Sequence, residues 1–136
     1  MDTFRVLDNH TIAYLDLTGS GTETAIHLQL DGRVTFMFTS FDQNPNILRL
    51  YGTGRAVRPN DPEFDTLMQH FTPNPAQRQI ITATITSTQD SCGYSVPRYE
   101  FLQHRNTLID YAKKYTPQQL QQRHAQQTTS IDGLKI

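Results

Sequence analysis

The segment from Arg78 to Gln89 places Ile81, Ala83 and Ile85 at alternate positions, with Thr82, Thr84 and Thr86 between them. A period of two sustained this long describes a strand with one apolar and one polar face, because a helix would scatter those residues around its circumference. Three further stretches share the pattern. Thr11 to Leu17 sets Ala13, Leu15 and Leu17 opposite Tyr14 and Asp16, and Arg33 to Thr39 puts Val34, Phe36 and Phe38 on one face. Ile47 to Arg58 is the next extended segment; Gly52 and Gly54 share a face there, which points to a bulge or to close approach by another backbone or a ligand.

Helices are expected between these strands. Ser20 followed by Glu23 has the spacing of a capping box, so a helix is expected from there to about Leu30, with Asp31-Gly32 as a turn. Asp61-Pro62 offers an N-cap and a first-turn proline, after which Phe64, Leu67, Met68 and Phe71 make an apolar stripe. Leu108, Ile109, Ala112 and Tyr115 form another stripe, and Thr116-Pro117-Gln118-Gln119 is a second capping box opening a polar, glutamine-rich helix. That helix is expected on the surface or against a partner.

The sum is an α+β chain, mainly β, with four strands and about four helices in one domain over residues 1–136. Residues 101–129 form a C-terminal helical part and 130–136 a tail. Four strands do not readily close a barrel, so the sheet keeps an open edge unless a second chain covers it. Such an edge invites pairing, and exposed Phe36, Phe38 and Ile81 would add an apolar patch; a homodimer or larger oligomer is expected.

Composition narrows the function classes. With 12 basic and 13 acidic residues, net charge −1, the chain lacks the concentrated positive surface that nucleic acid requires. No apolar run is long enough to span a bilayer and no secretory leader pattern opens the sequence. Cys92 is the only cysteine, which excludes an intrachain disulfide or a multi-cysteine zinc site and makes a reducing cytoplasmic setting the default expectation. The five histidines show no local metal-binding spacing.

Three stretches could carry chemistry. Thr18-Gly19-Ser20-Gly21-Thr22-Glu23-Thr24 joins a strand to a helix, where free backbone N–H groups and the helix dipole suit a phosphate, with Ser20, Thr22 and Thr24 adding hydroxyls. Glu23 opposes this by placing a carboxylate beside the anion, and the same residues would serve simply to cap a helix. Ser91-Cys92-Gly93-Tyr94 holds a thiol whose sequence neighbours include no cation to activate it, so a buried structural cysteine is expected. Tyr94 and Tyr99 could stack on a planar ring. Arg49 and Arg55 share a strand face and could meet an anion or a partner's carboxylates.

Several of these stretches occur together in a recognisable order. Asp2 to Leu7, Ala13 to Gly21, Gly32 to Phe38, Ile47 to Gly54, Asp90 to Tyr94 with Val96-Pro97, and Ser130 to Leu134 resemble a subgroup of the pyridoxamine 5'-phosphate oxidase-related, FMN-binding split-barrel family. The resemblance covers essentially the whole chain. It implies a six-stranded split barrel, a homodimer, and FMN in clefts between the subunits. By the same resemblance the phosphate side falls on Thr18, Gly19, Ser20, Gly21, Thr22 and Thr24. Arg33, Arg49, Cys92, Gly93 and Tyr94 would line the ring or the interface. The family's serine, arginine and lysine at the phosphate are replaced here by Thr22, Glu23 and Thr24. Family members also begin with strands ending in a Ser-Pro-Lys-Gly-like turn, and Met1 falls just after that point, so the first strands are expected to be missing. The motif by which true oxidases recognise vitamin B6 has no counterpart here.

Two readings follow. One is a flavin-dependent oxidoreductase of unknown substrate, with no catalytic acid or base identifiable. The other is a non-catalytic dimeric remnant of the barrel that no longer binds flavin. Haem or a deazaflavin, held by some split barrels, is a third option, although no histidine stands out as a haem ligand.

Overall fold

The computed structural model describes residues 2–135; Met1 and Ile136, the outer limits of the expected domain and tail, lie outside them. The elements run β1 (Phe4–Val6), β2 (Thr11–Leu17), α1 (Glu23–Asp31), β3 (Arg33–Thr39), β4 (Ile47–Val57), α2 (Phe64–Met68), β5 (Gln77–Ser91), α3 (Thr107–Ala112) and α4 (Pro117–Ala125). All strand pairs are antiparallel in one sheet of order β1-β2-β5-β4-β3. The long alternating segment, β5, is the central strand and pairs along both edges.

Five strands form where the period-two count gave four and the resemblance implied six. The additional strand, β1, has three residues, too few to show a period. It exists because Asp8 makes a tight turn, its carboxylate accepting the N–H groups of His10 and Thr11 at 2.8 Å. Those bonds, the His10 amide first, hold the Asp8 carboxyl below its ordinary range. The turn brings Phe4 opposite Tyr14 and Val6 opposite Ile12.

The two sheet faces are covered differently. On one, Ala13, Leu15, Val57 and Ile80 pack against Phe64 and Phe71 from α2 and the turn after it. Beside this core, Ala76, Ala112 and Leu120 join α3 and α4 to the start of β5. On the other face, Ala25 and Leu28 of α1 cover Ile81, Tyr14, Val34 and Ala56. Ile81 is thus fully buried, not part of an exposed patch: α1 supplies the cover that was expected to be absent. Beyond α1 this face curls until its edge strands meet. The ring of Phe4 on β1 lies 5.0 Å from Phe38 and 6.4 Å from Phe36 on β3, and Tyr14 lies 6.0 Å from Phe36. No β1–β3 ladder forms among the described residues, so the barrel stays open at that seam. Phe38 keeps 39% of its surface exposed and Leu48 keeps 37%.

Local expectations met different fates. The pairing of β4 with β5 shifts register between Tyr51 and Gly52, the expected bulge, and a Cβ on Gly52 would come within 2.1 Å of the Thr84 carbonyl oxygen. The Thr116 capping box forms in full, with Gln119 N–H donating to Thr116 Oγ1 and Thr116 N–H to Gln119 Oε1. The Ser20 box does not. Thr22 is the N-cap of α1 and makes no side-chain cap bond, because Glu23 begins the helix and its carboxylate turns outward to Ile131. Likewise α2 starts at Phe64, not after Asp61; the Asp61 carboxylate closes a preceding turn by accepting the Arg58 N–H at 2.7 Å.

The expected tail folds back. Ser130 is buried, Thr129 bridges to Lys135, and Ile131 N–H reaches Glu23 Oε2 at 3.2 Å. No helix among the described residues is long and apolar enough to cross a membrane.

Candidate functional site

The loop from Thr18 to Thr24 is pinned by residues far away in sequence. Its first residue donates its N–H to the Ala76 carbonyl at 2.7 Å, which ties the end of β2 to the start of β5. One position into the ladder, Arg78 enters the loop. Its guanidinium donates to Asp16 Oδ2 at 2.9 Å, to the Gly21 carbonyl at 2.6 Å and to Gln127 Oε1 at 2.8 Å. Gln79 extends the network, donating to Asp16 Oδ2 at 2.7 Å and to the buried Thr22 hydroxyl at 3.1 Å. From α4, His124 Nε2 lies 2.9 Å from the buried Thr18 hydroxyl, and just past the helix Gln127 donates to the Gly19 carbonyl at 2.8 Å. Burial, then the nearby Arg78 charge, lowers the His124 pKa from its ordinary value, with Asp16 opposing, so the ring is neutral at pH 7.

These contacts decide what the loop can offer. The two buried hydroxyls, Thr18 and Thr22, face the protein's own side chains, while Ser20 is exposed. The Tyr14 phenol has its pKa raised by burial first and by Asp16 second, with Thr24 opposing the rise. The start of α1 is acidic: Glu23 and Asp132 flank His27, whose Nε2 lies 3.6 Å and 3.4 Å from their carboxylates. These three exposed side chains could converge on one cation, and their present contacts tie the folded-back C-terminal segment to α1.

The other expected residues lie elsewhere. β5 has 15 residues, and roughly 45 Å of extended chain separates its ends. At the far end, Arg49 on β4 donates to Ser91 Oγ at 3.1 Å, so Arg49 and the Ser91–Tyr94 turn do come together. Gly93 is buried in a left-handed turn at φ 60°, and Tyr94 beside it is 81% exposed. Cys92 is exposed, correcting the expectation of a buried thiol: the ladder ends at Ser91 opposite Ile47, and Cys92 lies beyond its cover. Arg33 stands apart on β3, pairing with Asp31 at 2.6 Å. Within the chain the loop, Arg33 and the Cys92 turn form three places.

Asp16, Arg78, Gln79 and His124 escaped the sequence reading. A polar Asp16 inside an otherwise apolar strand is the one local signal, since a carboxylate there needs a partner. Nothing in the spacing identifies that partner as Arg78, 62 positions away.

No family model matches the chain. Over 97 residues, 70% of its length, it is 41% identical to ustO, a pyridoxamine 5'-phosphate oxidase family protein of Aspergillus flavus, and it spans 39% of that relative. HupZ of Group A Streptococcus, a split-barrel protein, superposes on 65% of this chain and 73% of its own with a TM-score of 0.51 at 14% identity, a likeness of fold. Sheet order, curled edges and these likenesses agree: the chain is a relative of the pyridoxamine 5'-phosphate oxidase family with a split-barrel fold.

Proposed function

We propose that this chain works as a homodimeric split-barrel module, with a second copy closing the open side of its sheet, and that it does not grip FMN by the phosphate as the oxidases do. The observation that carries the dimer is the seam between β1 and β3. Aromatic rings from both edge strands meet there without a ladder, and Val6, Phe38 and Leu48 remain exposed around them. An unpaired strand edge beside apolar side chains is stabilised by a symmetric second copy.

FMN is the cofactor that kinship with the oxidases implies, and the loop is where its phosphate would go. The residues present do not fit it. Glu23 and Asp132 place two carboxylates at the start of α1, outweighing the roughly half positive charge of a helix N-terminus. The arginine that reaches the loop is already held by Asp16, Gly21 and Gln127. A dianionic phosphate would find no uncommitted cation among them.

The relation to the oxidase family favours the second reading, a flavin-dependent oxidoreductase of unknown substrate. An FMN titration followed by flavin fluorescence and visible absorption separates the two. Absence of saturable binding by folded protein is the expected result; one flavin per subunit at micromolar affinity would overturn the proposal. Sedimentation should give a dimer that Phe38→Asp converts to monomer, and a wild-type monomer would refute the closure.

A further inference from the structure

Behind the loop, on the face opposite the proposed dimer seam, lies a cleft of about 860 Å³. Its floor is the start of β5, one wall is α2 with the loop after it, and the other is α3 and α4. Small-molecule sites commonly enclose about 300–1,000 Å³ behind apolar walls with a few polar groups. This cleft has that character: Phe64, Pro73, Ala112, Tyr115 and Leu120 supply apolar wall, and Thr22, Gln79 and His124 supply polar floor.

The charges lining it have one sign. Arg58, Arg78 and Lys113 border the cleft, and no Asp or Glu is among its described lining residues. Arg78 is neutralised by Asp16 behind the floor. Arg58 and Lys113 form no ion pair among the described residues; the Asp61 carboxylate accepts the backbone N–H of Arg58. His124 is held neutral, so it adds hydrogen bonding without charge. Two uncompensated cations over an apolar cavity attract an anion, and the low-dielectric walls strengthen that attraction relative to open water.

We propose that this cleft binds a small organic anion, an apolar or aromatic body carrying a carboxylate, sulfonate or phosphate, with Arg58 and Lys113 meeting the charge and Phe64, Tyr115 and Leu120 meeting the body. The site is independent of the dimer seam, and either can fail without the other.

Anilinonaphthalene sulfonate, an aromatic anion whose fluorescence rises in apolar surroundings, is a suitable probe, with the uncharged N-phenylnaphthylamine as its control. The sulfonate should bind saturably, one per chain, and shift the NMR signals of Thr22, Lys113 and His124. The double variant R58Q/K113Q, altering two exposed side chains, should weaken sulfonate binding about tenfold and leave the neutral probe unchanged. Ala125→Trp, which fills the cleft from its rim, should abolish binding of both, whereas Phe38→Ser should abolish neither. Sulfonate binding of unchanged affinity in R58Q/K113Q, retained binding in Ala125→Trp, or the absence of saturable binding by folded wild type would each overturn the proposal.

Discussion

The two ends of β5 carry the residues that the sequence marks as chemically interesting, yet the fold treats them differently. At the start, the largely covered Arg78 and the buried Gln79 lie among Asp16, Thr22 and Gln127, and these contacts cross from other elements. At the finish, Cys92 and Tyr94 are exposed on either side of the buried Gly93, and beyond the ladder pairing of Ser91 with Ile47 a side-chain bond runs from Arg49 to Ser91. One end is built by long-range partners and the other by the geometry of a glycine. A conspicuous local motif therefore says little about how firmly a place is constructed.

The sharpest way to break this comparison is to remove the charge that holds the built end. Asp16→Asn leaves the Arg78 guanidinium inside the protein without its counter-ion. Fully buried pairs broken in this way cost more, but the side chains of Arg78 and Asp16 keep 10% and 17% exposure, so a loss of about 2–3 kcal/mol is expected. Arg49→Ala at the far end should cost under about 1 kcal/mol. Urea denaturation of both variants checks the contrast, and equal losses would erase it.

At the exposed end the backbone, not the side chains, should carry the largest effect. Gly93 sits at φ 60°, and a Cβ there would approach the Asn46 backbone to 3.0–3.2 Å. Gly93→Ala should therefore destabilise by about 1–2 kcal/mol. Cys92→Ser beside it should stay within about 0.5 kcal/mol, since the thiol is exposed. A larger loss from Cys92→Ser than from Gly93→Ala would mean that the thiol has a role the turn does not explain.

Acid distinguishes the ends again. His124 has a folded-state pKa below its unfolded value, so between those two values the unfolded chain binds more protons. Stability then rises with pH in that window, is complete above about 6.5, and falls as pH drops through the folded value. The groups facing the ring are Arg78, which disfavours its charge, and Asp16, which favours it. Asp8, Asp31, Asp42 and Asp132 also have lowered values, but their contributions fade at lower pH, below the carboxylate range. Denaturation midpoints from pH 7 to 5 should fall more steeply in wild type than in His124→Gln. Parallel slopes would show that the ring is not sensing the network.

What was readable in advance divides along the same line. Strand periodicity is a local property, so β2, β3 and β5 are legible close to their true bounds, whereas the central place of β5 in the sheet comes from the fold. The three residues of β1 were too few for a period, and the contacts that build the loop span 49 to 108 positions. Asp16 reads in the sequence only as part of a polar strand face, and the fold alone identifies Arg78 as its partner. The loop's anion-site appearance came from glycines and hydroxyls in sequence, whereas its real electrostatics come from Glu23 and from Asp132, brought in by the returning C-terminal segment.

The smallest effect tests the most tempting local signal. Ser20–Glu23 and Thr116–Gln119 have the same four-residue spacing, yet only the second closes. Pro117 accounts for part of the difference, because its fixed φ starts α4 directly after Thr116 and aligns the cap. Around Ser20 the flanking Gly19 and Gly21 impose no such constraint. The loop instead follows Arg78 and Gln127, and the helix begins beyond Thr22. Thr116→Ala should cost about 1 kcal/mol. Ser20→Ala should cost less than about 0.5 kcal/mol, as expected for an exposed side chain without a cap to lose. Thermal unfolding of the pair settles the matter: if Ser20→Ala costs as much as Thr116→Ala, the Ser20 box closes in solution and the start of α1 is differently made.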